Sequence, residues 1–344
     1  MDKEKKIMII GGHGKVGRYI TKALRSFNLI LVGRDRDKMQ SFLTKEKIQA
    51  QLCVMDVHAI DFARLEGVGW VIVCVDQENI KLVEYCDAHG VDYMDVTANS
   101  EFIEKIQQLK LLGKSRILLG VGLAPGLTNL LAEQFVLKYP LADTIKIELI
   151  LGLGEKHGAA AIRWTLDNFK KNYRHKALGT IKPFTHKSVI DTGRGKLRTY
   201  NFNFVDQHML NVKYNDKSFT TYLGFDQSLV TKTIYLAARL GLLGLLKYKP
   251  VYAAAEKFLR NPKIGTDVFM VVVQWMDKSM SAMGQNEGRF TGLIAAEAAK
   301  RMATKALKNG LLDISDVLRV EDIIENKALG VTSWDIETTK EGCI

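Results

Sequence analysis

The first 125 residues place short, uninterrupted apolar runs between stretches with helical spacing. The runs Ile7–Ile10, Leu29–Val32, Ala50–Met55, Val68–Val75, Val91–Val96 and Ile117–Val121 have the length of strands. Successive strand side chains point to opposite faces, so a run that is apolar throughout predicts a strand buried on both sides. The segments Val16–Phe27, Asp35–Glu46, Asp61–Leu65, Asn79–His89 and Ser100–Leu112 carry apolar residues at helical intervals. Alternating strands and helices with short connections predict an α/β architecture. Its core is a doubly wound parallel sheet in the order 3-2-1-4-5-6.

Beyond Ala124-Pro125-Gly126 the pattern changes. Leu127–Tyr139 reads as a helix, Thr144–Leu151 alternates like a strand, and Ala159–Tyr173 is helical again. Gly179–Phe204 and Val268–Met276 are rich in β-formers and turn residues, which predicts a second, α+β domain with a more antiparallel sheet. An alanine-rich helix follows Thr291-Gly292. The expected division is residues 1–125, 126–284 and 285–344, the last being helices that return to the first domain.

The chemistry concentrates at the end of the first strand, in Gly11-Gly12-His13-Gly14-Lys15-Val16-Gly17. Gly12, Gly14 and Gly17 form G-x-G-x-x-G between an apolar strand and a helix. The first glycine permits the tight turn, the second admits a pyrophosphate to the backbone, and the third lets helix and strand pack closely. The helix start then offers N–H groups to phosphate. In this setting the motif predicts a bound dinucleotide contacted by Gly12, His13, Gly14, Lys15, Val16 and Gly17. Lys15 either adds charge near phosphate or is a solvated lysine.

The tip of the second strand bears on which dinucleotide. An NAD site places a carboxylate there for the ribose hydroxyls. Here the tip is Gly33 followed by Arg34, with Asp35 and Arg36 next. A guanidinium without a tip carboxylate favours the additional phosphate of NADP, and Asp35 argues mildly for NAD. Asp56, Asp76, Asp95 and Thr97 close later strands and fall at the edge where ligands of such sheets bind. Each is also a residue type that caps helices.

Lys and Arg outnumber Asp and Glu by 49 to 38, giving a net charge of +11. The excess is spread along the chain, with no zinc finger, aromatic ribonucleoprotein motif or basic tail, so a nucleic-acid partner is not expected. A phosphorylated or acidic small molecule suits the charge equally well. Cys53, Cys74, Cys86 and Cys343 lack C-x-x-C spacing, which argues against a metal site and suits small buried thiols in a reducing cytoplasm. The sequence enters its first strand without a signal peptide. The most apolar later stretch, Ile234–Leu246, contains Arg239 and falls short of the ~20 residues of a membrane span. It reads as a pocket wall, a subunit interface or, as a minor alternative, a membrane-surface contact.

Several segments together resemble the saccharopine dehydrogenase family. They are Gly12-His13-Gly14-Lys15-Val16-Gly17-Arg18, Tyr93-Met94-Asp95-Val96-Thr97 and Gly122-Leu123-Ala124-Pro125-Gly126-Leu127. Later parallels are Gly152-Leu153-Gly154-Glu155-Lys156-His157-Gly158 and Phe290-Thr291-Gly292-Leu293-Ile294-Ala295-Ala296. The resemblance implies an NAD(P)-binding Rossmann domain, a second domain that holds substrate, and a homodimer. It also implies hydride transfer at a C–N bond of an amino-acid-derived amine or imine.

Such chemistry needs an acid or base beside the reacting nitrogen. Asp95 and His157 are the candidates, the latter in a glycine-flanked loop; Lys156 and Arg163 are candidates to receive a substrate carboxylate. His157 in a surface loop, Asp95 as a cap and Arg163 as a solvated helix residue are the plainer alternatives. Two other functions compete. A non-catalytic NADP-binding regulator or scaffold would fill the cleft with apolar side chains. An atypical short-chain dehydrogenase would need a Tyr-x-x-x-Lys pair, and the sequence has none.

Overall fold

The computed structural model describes residues 5–155, 158–191, 195–260 and 265–335. They form two compact units, one within Met1–Leu127 and Gly288–Leu329, the other within Thr128–Glu287 and Gly330–Ile344.

The first unit begins with β1 (Lys6–Ile10), α1 (Gly17–Ala23), β2 (Leu29–Gly33), α2 (Arg36–Glu46) and β3 (Gln51–Val54). It continues with β4 (Val68–Val73), α3 (Lys81–His89), β5 (Asp92–Asp95), α4 (Ser100–Gln107) and β6 (Arg116–Leu118). The sheet runs 3-2-1-4-5-6 with every pairing parallel, as the apolar runs predict. Ile7–Ile10 and Val71–Val73 are almost completely buried, which is why these strands carry no polar face. Asp87 secures the link into β6, its carboxylate accepting from the backbone N–H of Leu112, Gly113, Lys114 and Ser115.

The second unit comprises α5 (Thr128–Lys138), β7 (Thr144–Leu151), α6 (Ala159–Lys170), β8 (Tyr173–His175), β9 (Gly179–Ile181), β10 (Lys187–Asp191) and β11 (Lys196–Asn201). It goes on through α7 (Val205–Lys213), β12 (Ser218–Phe225), α8 (Ser228–Arg239), α9 (Lys249–Leu259), β13 (Val268–Trp275) and β14 (Lys278–Gln285). Its mixed sheet is ordered β10-β11-β12-β7-β13-β14 and is antiparallel except between β12 and β7. β11 pairs with β12 only at Tyr200 and Asn201. The rest of the β10–β11 hairpin folds over the sheet face. Thr199 there donates to the buried Glu148 of β7, and Gln274 of β13 donates to Ser188 at 3.3 Å. Burial raises the Glu148 carboxyl above its ordinary range, partly offset by these hydrogen bonds.

The chain then re-enters the first unit as α10 (Glu287–Thr304), β15 (Gly310–Leu312), α11 (Ile314–Val317) and α12 (Val320–Glu325). Sequence reading expects only helices in this return, yet β15 joins the parallel sheet beside β6 as a seventh strand. The return also stops short of the chain end. β16 (Thr332–Asp335) pairs antiparallel with β14 and so belongs to the second unit's sheet.

Candidate cofactor site

After β1 the chain turns through Gly11, whose φ of +77° is a left-handed conformation that glycine adopts without strain. Thr21 of α1 closes the turn by donating to the Gly12 carbonyl at 2.9 Å. The three motif glycines then separate by what surrounds them. A Cβ on Gly12 would lie 2.4 Å from Leu31 Cδ1 and 2.7 Å from Thr21 Oγ1. On Gly17 it would lie 2.3 Å from the Gly11 carbonyl oxygen and 2.7 Å from Gly12 Cα. Protein packing alone therefore requires both. At Gly14 the added carbon would meet a single atom, the Gly11 oxygen at 3.0 Å. The surroundings there are the least crowded of the three, with one backbone oxygen in close contact, which fits the close approach of a pyrophosphate.

The tip of β2 is built around the motif's histidine. A Cβ on Gly33 would sit 2.6 Å from His13 Cε1, so glycine is what lets the imidazole lie against the strand end. His13 Nδ1 is buried without a hydrogen-bond partner. Desolvation holds the ring's pKa below its ordinary value, opposed by Asp35 and reinforced by Lys38 and Arg18. Arg34 follows with its side chain 79% exposed and its guanidinium 3.8 Å from Asp56 Oδ2. An exposed pair of this kind is worth at most about 1 kcal/mol and does not hold Arg34 away from a phosphate.

Asp35 caps α2 by accepting from the Lys38 N–H at 3.0 Å, and its carboxylate pairs with the Lys38 ammonium at 2.8 Å. Its presence two residues beyond the tip therefore does not weigh for NAD. Asp56 accepts from the His58 N–H at 3.0 Å, so it shapes the turn after β3 as well as facing Arg34.

At the ends of β4 and β5 lies a buried network. Asp95 is 1% exposed. Its Oδ2 accepts from Tyr93 OH at 2.6 Å and Gln77 Nε2 at 2.7 Å, and its Oδ1 from the Thr97 N–H at 2.7 Å. Burial pushes its pKa up to about 7 despite those hydrogen bonds, and Asp76 adds repulsion. Both oxygens are engaged within this network and the carboxyl is buried. The network ties the two strand ends together. Thr97 accepts from the Asn99 N–H at 3.2 Å, and Asn99 caps α4, so Thr97 belongs to the turn into that helix. Asp76 is exposed on the loop after β4.

Sequence reasoning missed Gln77, whose amide bridges Tyr93 and Asp95. It also missed what Thr291 and Gly292 do. A Cβ on Gly292 would lie 2.6 Å from Tyr19 Cβ and 2.7 Å from the Val16 carbonyl oxygen, so α10 packs directly on the start of α1. Thr291 Oγ1 accepts from the Leu123 N–H at 3.3 Å at the Gly122–Leu127 segment. The unusual Thr-Gly pair was the available signal.

In the second unit, Arg163 is exposed on α6. Trp164 packs against Phe202 and Phe204, as a core residue should. Lys156 and His157 lie outside the described residues, as does Cys343. Cys53 and Cys86 are buried, and burial raises the Cys86 thiol well above its ordinary range. No helix among the described residues is long and apolar enough to cross a membrane.

A parallel sheet in this order, a glycine turn least crowded at Gly14 and an exposed arginine at the second strand tip define a Rossmann dinucleotide-binding domain. Residues 7–114 match the family model described as the saccharopine dehydrogenase NADP binding domain. By that match the first unit carries a dinucleotide-binding domain whose cofactor is NADP, and this part of the chain is similar to saccharopine dehydrogenases. Among solved structures, saccharopine dehydrogenase (L-Glu forming) from Saccharomyces cerevisiae shares the fold. It has 14% identity and a TM-score of 0.62 over 96% of this chain and 100% of that one. An oxidoreductase from Agrobacterium radiobacter matches with 11% identity and TM-score 0.40, over 89% of this chain and 90% of that one. A Gfo/Idh/MocA family oxidoreductase from Vibrio cholerae has 9% identity and TM-score 0.39, covering 94% of each chain. Scores at that level carry no argument. No curated sequence matches the chain.

Proposed function

We propose that the protein is an NADP(H)-dependent dehydrogenase or reductase acting at the C–N bond of an amino-acid-derived amine or imine. The observation that carries the cofactor half is the turn whose least crowded motif glycine is Gly14, with Arg34 exposed beyond it. The resemblance to saccharopine dehydrogenases supports the C–N half, as does the fold shared with the yeast enzyme.

The cofactor, when bound, gives or takes the hydride. In this reading the chain's own residues do the rest. Gly12, Gly14 and Gly17, with His13, Lys15 and Val16, cradle the phosphates. Arg34 meets the additional phosphate of the adenosine ribose, and Asp56 orients Arg34. Asp76 and Thr97 border the cofactor further along the strand ends, while Asp95 keeps those ends in register. His157 holds or delivers the proton at the reacting nitrogen, and Lys156 and Arg163 receive a substrate carboxylate. The same resemblance supports a homodimer, and the lack of C-x-x-C spacing among the cysteines supports a cytoplasmic location.

The test is NADPH oxidation in the presence of paired 2-oxo acids and amino acids, which form imines in solution. Wild-type protein should turn over at least one pair. His157→Ala should lose about 10²–10⁴-fold in turnover while keeping its NADPH affinity. Equal turnover by the variant removes His157 from the reaction. Tight NADPH binding with no oxidation by any pair favours the scaffold reading.

A further inference from the structure

The helices α8 and α9, joined by a 3₁₀ turn at Leu242–Lys247, carry an apolar surface that neither the cofactor nor the proposed chemistry uses. α8 packs on β11, β12 and the 3₁₀ turn; α9 packs on α6 and the same turn. Those contacts leave the outer faces uncovered. Thr231 is the one buried residue of α8, and α9 has none. Leu229, Leu236 and Leu240 recur at seven and four residues, so they form one stripe along α8. Leu240 is 72% exposed and Leu236 48%. Leu242, Leu245, Tyr248, Val251 and Phe258 extend the exposed apolar surface across the turn and onto α9. A soluble face rarely gathers so many large apolar side chains without a partner.

The charges beside them say which partner. Lys232, Arg239, Lys247, Lys249, Lys257 and Arg260 all fall in the same segment. Its one carboxylate, Glu256, is already paired with Arg260. A second copy of the chain meeting this surface about a two-fold axis would press the same cations against one another. An anionic lipid surface complements both features. Its headgroups take the cations while the leucines, Tyr248 and Phe258 enter the acyl boundary.

We propose that the α8–α9 surface binds peripherally to anionic membranes, placing the protein at a lipid surface without spanning it. A homodimer formed through other surfaces is compatible with this, and the inference does not depend on the C–N chemistry.

Flotation with vesicles tests it. Full-length protein at low salt should float with phosphatidylcholine–phosphatidylglycerol vesicles and stay behind with phosphatidylcholine alone. Added salt should release it, because the headgroup attraction is screened within about 10 Å at 0.1 M. Leu236→Glu with Leu240→Glu should cut the bound fraction about tenfold or more. Arg239→Glu with Lys249→Glu, which leaves the apolar stripe intact, should weaken binding at low salt to a similar extent. Unchanged NADPH affinity in both variants shows that the fold persists. Wild-type protein that fails to float with anionic vesicles overturns the proposal, as do variants that float like wild type. A wild-type dimer that the leucine variant converts to monomer, with no flotation, makes this a subunit interface instead.

Discussion

At Gly17 one added carbon would sit 2.3 Å from the Gly11 oxygen, whereas at Gly14 it would meet the same oxygen at 3.0 Å and nothing else. The two glycines of one motif therefore answer to different demands. Gly17→Ala should destabilise the protein by about 1–3 kcal/mol, visible as a lowered denaturation midpoint. Gly14→Ala, whose added carbon presses on that one oxygen only, should lower the midpoint less than Gly17→Ala and weaken NADPH binding about tenfold or more. Equal effects of both changes on stability would contradict the division.

Asp95 gives a second residue-scale prediction. Its carboxyl ionises near 3.8 in the unfolded chain and about 7 in the fold. The folded state thus binds the proton more tightly. The stability this lends is full below pH 3.8, declines as pH rises and is gone above about 7. The total is on the order of 4 kcal/mol. Asp95→Asn has no such slope. The stability of wild type relative to the variant, from urea denaturation, should therefore fall between pH 4 and 7 and level off beyond; a constant difference contradicts the buried state of the group. The positions of the motif glycines, Arg34 and Asp95 in the fold were legible because spacing and strand ends announce them. Gln77 was not, since its role exists only once β4 and β5 lie side by side. The contact between His13 and Gly33 is likewise tertiary.

Among the elements, the six strands of the first unit were readable because burial on both faces leaves an unbroken apolar run. β15 escaped because Gly310-Leu311-Leu312 is too short to show a period. The folding of the β10–β11 hairpin over the sheet also left no periodic trace, because alternation reports a strand and not its path. α10 has a consequence that can be measured. Its close approach at Gly292 means that Gly292→Leu should wedge it from α1, costing about 1–3 kcal/mol and loosening the glycine turn. Lower NADPH affinity should accompany the lost stability. A variant with full affinity and an unchanged midpoint would show that α10 does not brace the turn.

For the molecule as a whole, the sequence pattern separated a dinucleotide-binding domain from an α+β domain, but its last boundary ignored β16, whose partner β14 is distant in sequence. The net charge of +11 was read as a general attraction to anions. The two proposals divide that role between Arg34 at the second strand tip and the cationic α8–α9 segment.

The central claim is that the first unit binds NADP through the open turn and Arg34. Calorimetric titration of full-length protein with NADPH and NADH, alongside Arg34→Ala, tests it most directly. The account predicts tighter binding of NADPH, with the variant losing about tenfold or more of its NADPH affinity and little of its NADH affinity. Binding of neither nucleotide, or equal binding of both that Arg34→Ala leaves untouched, would contradict it.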